Sequence, residues 1–116
     1  GHVALKGFVG ICREWDCTEE EMMQLLGGVS RSTLVKYETL PHVTLSQDTL
    51  ERISYILGIY ESLRVMYPTA ERANHRIRLV TSEVPFAGTS ALDFMALGSM
   101  KHLMETRRYF DAKRAG

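Results

Sequence analysis

The stretch QLLGGVSRSTLVKYE, residues 24–38, limits the fold more than any other part of the chain. Met22, Leu25 and Leu26 form an apolar helical face. Gly27-Gly28 ends it, because glycine enters the left-handed backbone region without a steric penalty. Ser30 then caps a second, short helix that runs from Arg31 to about Glu38. A helix, a glycine turn and a capped helix make up a helix-turn-helix unit, whose second helix lies in the major groove of DNA. Ser30, Arg31, Ser32, Thr33 and Lys36 are the short polar or basic groups that such a helix offers to bases and phosphates, while Leu34 and Tyr37 turn toward a core. Capped helices around a glycine turn also occur in plain helical bundles, so the motif by itself leaves both readings open.

The rest of the chain also reads as helix. Leu5, Phe8, Val9, Cys12 and Trp15 recur at helical spacing over residues 3–15. Thr18 before Glu19-Glu20-Glu21 is a capping box with carboxylates at the positive end of a helix dipole. Ser46 opens a long segment in which Leu50, Ile53, Leu57, Tyr60, Leu63 and Tyr67 recur every three or four residues until Pro68. Gly58 leaves open whether that segment is one helix or two. ERANHRIRL makes a short helix or turn. VTSEVPFAGT, with Pro85 and Gly88, makes a loop in which Phe86 is either a core plug or an exposed anchor. Ser90 with Asp93 restarts a helix through Leu92 and Met95, and Gly98 closes it. Ser99 opens the last helix, with Met100, Leu103, Met104 and Phe110 on one face. No strand-like alternation is present. The chain is expected to be all-α, with a helix-turn-helix bundle over residues 1–67 and a small helical unit over 68–116. The first part is expected to stay folded when residues 69–116 are removed.

Composition excludes several classes of function. No run of about 18 apolar residues is present, so no membrane span is expected. The start lacks a signal-peptide pattern, Gly1-His2 reads as a tag remnant, and the cysteines read as reduced thiols, from which a cytoplasmic protein is expected. Cys12 and Cys17 have no second pair and no histidine at ligand spacing, so they read as two reduced thiols rather than a metal site. His42, His75 and His102 lie in different segments, without a nucleophile elbow or phosphate-cradling loop, so neither catalysis nor a cofactor is expected. Charge is uneven: residues 1–58 hold five Lys/Arg against eight Asp/Glu, and residues 59–116 hold nine against six. A half-chain at −3 is a poor polycation, so DNA contact must rest on a few placed groups and on dimerisation. At the other end, RRYF joins Arg107 and Arg108 to Tyr109 and Phe110, residue types enriched where proteins meet.

Two stretches resemble a known family, the antitoxins grouped as Xre/MbcA/ParS. EWDCTEEEMMQLLGGVSRSTLVKYE is similar to the family's Trp, acidic helix start, Leu-Leu-Gly turn and Ser-x-Ser-Thr helix. ERANHRIRLVTSEVPFAGTSALDFMALGSMKHLMETRRYFDAKRAG resembles its C-terminal toxin-binding part, with Phe-x-Gly-x-Ser, Leu-Asp-x-Met-x-x-Gly and a closing helix in Arg-Arg-Tyr. The two stretches cover about two-thirds of the chain. It departs from many relatives in having Ala91 where they have proline, no Trp near His75 or Arg76, and Val80-Thr81 in place of Pro-Asn. The resemblance implies a dimeric antitoxin that covers the NAD-binding cleft of a RES-domain toxin, which would otherwise degrade NAD or ADP-ribosylate a target. It also implies repression of the antitoxin's own operon through operator DNA. The implied toxin-binding residues are Arg76, Arg78, Phe86, Gly88, Ser90, Leu92, Met95, Arg107, Arg108, Tyr109, Lys113 and Arg114. Its basic members are expected to pair with carboxylates on the toxin, and Phe86, Leu92 and Met95 to be apolar anchors or local core. The competing reading is a dimeric helix-turn-helix regulator without a toxin partner.

Overall fold

Side-chain caps set where the helices begin. In the computed structural model, which describes residues 1–116, α1 (His2–Glu14) is followed by α2 (Glu19–Leu25), α3 (Arg31–Thr39) and α4 (Gln47–Met66). Then come α5 (Ala70–Ile77), a small hairpin of β1 (Val80–Thr81) and β2 (Thr89–Ser90), α6 (Ala91–Met95) and α7 (Met100–Ala115). Thr18 Oγ1 accepts from the Glu21 amide at 3.1 Å while Glu21 Oε1 accepts from the Thr18 amide at 2.9 Å, the reciprocal pair expected of a capping box. Ser30, Ser46 and Ser90 accept from Thr33, Thr49 and Asp93 amides at 3.2, 3.1 and 3.0 Å. Each bond satisfies a donor that a helix start leaves without an intrahelical partner. Gly27 and Gly28 stand at φ 94° and 86°, so the turn before α3 needs glycine at both places.

α4 lies at the centre. Its most extensive contact is with α7 and its next is with α1. A helix covered from two sides buries more than one stripe, and this changes the expected face. Ile53, Ile56, Ile59, Ser62 and Leu63 are buried, whereas Leu57 is 38% exposed. Gly58 does not divide the helix. The Arg107 guanidinium fills the space beside it, and a Cβ there would stand 2.5 Å from Arg107 Cζ. Four residues on, Ser62 Oγ donates to Asp111 Oδ1 at 2.7 Å.

The apolar core does not stop at residue 67. Phe8, Trp15, Leu25 and Leu34 belong to the same cluster as Ile77, Phe86, Leu92, Met95, Leu103 and Phe110. The expectation that residues 1–68 keep their fold alone therefore conflicts with the packing, because removing α7 uncovers α4.

The stretch read as a loop forms an antiparallel clip with Val80 opposite Ser90 and Thr81 opposite Thr89. Two-residue strands are too short for alternation to register in sequence. The clip contains a cis Val84–Pro85 peptide, and Gly88 at φ 98° closes it through its amide to the Thr81 carbonyl at 2.8 Å. Phe86 is 2% exposed and meets Phe94 and Tyr109 edge-on at 5.5 and 4.9 Å, so it is the core plug of the two roles open to it.

Two outcomes are expected. Phe86→Ala costs about 3–5 kcal/mol, read as a lowered denaturation midpoint at unchanged slope. A fragment ending at residue 67 melts without a cooperative transition, and a sharp melt close to that of the full chain would contradict the shared core.

Candidate functional site

Two faces carry side chains suited to recognition. The first is the outer side of α3. Arg31, Ser32, Val35 and Lys36 are exposed there, while Leu34 is 1% exposed and Tyr37 packs half-buried on the core. Ser30 is committed to its cap, and its hydroxyl also lies 3.1 Å from that of Ser32 and 3.0 Å from that of Thr33. Arg31 is paired with Glu19, the first residue of α2, and Lys36 has no carboxylate partner. Sequence reasoning missed Val35. It is 45% exposed, and an apolar group there suits a thymine methyl in the major groove.

The second face is built by α5, the hairpin and α7. Arg76 is 9% exposed and lies 5.1 Å over the Phe110 ring and 5.6 Å over the Tyr109 ring. Arg76 Nη2 donates to Tyr109 Oη at 2.9 Å, and that hydroxyl donates to Glu83 Oε2 at 2.6 Å. Lys113 Nζ lies 3.4 Å from Glu83 Oε1. One carboxylate at the start of the hairpin tip thus gathers a phenol and two cations from α5 and α7.

Most of the residues singled out from sequence are used inside the molecule. Leu92 and Met95 are 1% and 0% exposed, and Ser90 is 4% exposed as the α6 cap, so these three and Phe86 do not present side chains to a partner. Phe86, Leu92 and Met95 thus take the local-core role of the two left open for them, and Ser90 is buried at its cap. Arg78 donates to the Trp15 carbonyl at 2.7 and 3.0 Å and to the Asp16 carbonyl at 2.7 Å, which ties the segment after α4 to the end of α1. Arg107 pairs with Asp111 at 3.5 Å and Arg114 with Glu61 at 4.0 Å. Arg108 is exposed and has no carboxylate partner. It lines a groove of about 360 Å³ with Val84, Pro85, Glu105, Tyr109 and Ala112. Sequence reasoning also missed Val84, 84% exposed, and Met104, 40% exposed on the same helix as Arg108. Their exposure follows from which neighbours are buried, a tertiary fact with no local signal.

A family comparison connects the first face to known proteins. Residues 1–58 match the model of the antitoxin Xre-like helix-turn-helix domain. The chain belongs to that family. It is also 38% identical over 112 residues to the uncharacterised protein y4oB of Sinorhizobium fredii, a match covering 97% of this chain and 84% of the relative. The Xre-like match takes in α1, α2, α3 and α4 as far as Gly58, so the glycine turn and the α3 face lie wholly within it. The groove beside Arg108 lies outside that part of the chain and is joined to it through α4 and Arg78. No helix is long and apolar enough to cross a membrane.

The Glu83 cluster has a defined response to acid. The hydrogen bond from Tyr109 first, then Lys113 and Arg76, hold the Glu83 carboxyl below its usual range. Burial first, then Glu83, push the Tyr109 phenol up, and Glu83 raises Lys113. A lowered carboxyl contributes stability above its ordinary value, about 4.3, and loses it as pH falls through the folded value. The hairpin is therefore expected to loosen from α7 below about pH 4. In NMR, Tyr109 ring resonances shift over that range in the native protein and stay flat in Glu83→Gln. An identical shift in both proteins would remove Glu83 as the cause.

Proposed function

We propose that this chain is the antitoxin of a type II toxin–antitoxin pair, acting in the cytoplasm as a homodimer. It binds a RES-domain toxin, occludes the toxin's NAD-using cleft and represses its own operon through α3. The observation that carries the toxin half is the state of the cations at the end of α7. Arg107, Lys113 and Arg114 are each matched with a carboxylate of this chain, whereas Arg108 is unmatched beside the exposed Val84 and the half-buried Pro85. An apolar tip next to an unpaired guanidinium is the composition of an interface anchor, with the guanidinium available for a bidentate bond to a toxin carboxylate. Arg76 and Tyr109 then act by holding the hairpin in place. The operator half is supported by the family match and by the free outer face of α3. Arg31 must exchange Glu19 for a phosphate or base edge. With few cations on the N-terminal half, two copies on adjacent half-sites supply what one lacks.

The two halves are separable by mutation. Val84→Ser with Arg108→Glu is expected to weaken toxin binding at least tenfold in calorimetry and leave operator binding and melting temperature unchanged, since both side chains are exposed. Native toxin affinity in that variant would move the interface elsewhere. Arg31→Ala with Lys36→Ala is expected to weaken operator binding by about tenfold or more in gel shifts, with toxin inhibition intact. An unchanged shift would take DNA reading away from α3.

A further inference from the structure

The chain's two cysteines flank the end of α1: Cys12 lies in its last turn and Cys17 in the turn before α2. α1 closes in a Schellman turn. The Cys17 amide donates to the Cys12 carbonyl at 2.9 Å, the Asp16 amide donates to the Arg13 carbonyl at 3.1 Å, and Asp16 stands at φ 58°. The residues at the two ends of that turn normally bring apolar side chains together. Here both ends are thiols.

The geometry suits a bridge. Covalent dimensions and the 2.9 Å bond between the two residues keep their Cα atoms within about 7 Å, against the span of about 4.4–6.8 Å that disulfides bridge. The two thiols differ in access, because Cys12 is 1% exposed in the core and Cys17 is half-buried. Hydrogen bonding to the Cys17 thiol first, then burial, hold the Cys12 thiol far above its usual range. Cys12 is therefore a poor first target for an oxidant, and Cys17 is the one that solvent reaches.

We propose that Cys12 and Cys17 form a redox-modification site, closing into an intramolecular disulfide when hydrogen peroxide oxidises Cys17. The Cys17 sulfur attacks peroxide; the O–O bond breaks, an S–O bond forms, and water leaves, giving a sulfenic acid. The Cys12 sulfur then attacks the Cys17 sulfur, the S–S bond forms, the S–O bond breaks, and a second water leaves with the Cys12 proton. Two thiols lose two protons and two electrons, and one peroxide becomes two waters.

The position gives the bridge a structural reach. Trp15 and Asp16, whose carbonyls hold Arg78, lie between the two cysteines, and Thr18, the α2 cap, comes directly after Cys17. Oxidation therefore fixes the turn where the helix-turn-helix begins and where the later segment is anchored to it.

The test is intact-mass analysis of the full chain after hydrogen peroxide, unfolding and alkylation. The expected product has lost two hydrogens and takes up no alkylating reagent, and prior reduction restores both adducts. Cys12→Ala is expected to accumulate a Cys17 sulfenic acid that dimedone captures. Cys17→Ser, altered at the more accessible site, is expected to keep its remaining thiol unmodified. Two alkylatable thiols in peroxide-treated native protein, added oxygen in place of lost hydrogen, or a bridge between two chains would each overturn the proposal.

Discussion

α4 is covered from two sides, and the rest of the structure depends on that cover. α1 packs along one side and α7 along the other, so the helix-turn-helix and the C-terminal surface share a single rigid element. Polar contacts reinforce the second side, where Ser62 bonds to Asp111 and the Arg107 guanidinium lies against Gly58 and 6.0 Å from the Tyr55 ring centroid. A buried hydroxyl needs a partner, and Asp111 supplies it on an otherwise exposed helix face. The match to the antitoxin Xre-like family ends at residue 58, partway along α4, so the helix that completes the family's unit is also the one against which α7 packs.

Three arginines hold the fold together, while Arg108 and Lys36 are left unpaired. Arg52 bonds Asp48 at 2.8 Å and the Gly98 carbonyl at 2.7 Å, Arg78 holds the end of α1, and Arg76 lies among aromatic rings. These three fasten segments far apart in sequence, and the planar guanidinium suits them because it donates in several directions while stacking on a ring. Arg108 and Lys36 do none of this and face solvent. In our proposal they are the groups left for a toxin and for DNA.

What the sequence revealed was local. Thr18, Ser30, Ser46 and Ser90 could be read as caps because the amide each one receives lies three residues away. Gly27 and Gly28 could be read as a turn because few other residues take such φ values. The second buried side of α4, at Ile56 and Ile59, could not be read, since it depends on α7 arriving from later in the chain. Nor could the fate of the basic residues: Arg78 meets Trp15 from 63 positions away, and nothing near either residue signals it. The hairpin stayed hidden because its strands are two residues long, and Phe86 took a core position that its Pro- and Gly-rich surroundings concealed.

The central proposal is that the face formed by the hairpin and α7 covers and silences a NAD-using toxin. The most direct measurement is NAD turnover by a RES-domain toxin of the kind proposed as partner, monitored as this chain is titrated in. The account predicts that turnover falls to background as the chain is added up to a fixed molar ratio. Undiminished turnover in the presence of excess chain would contradict it.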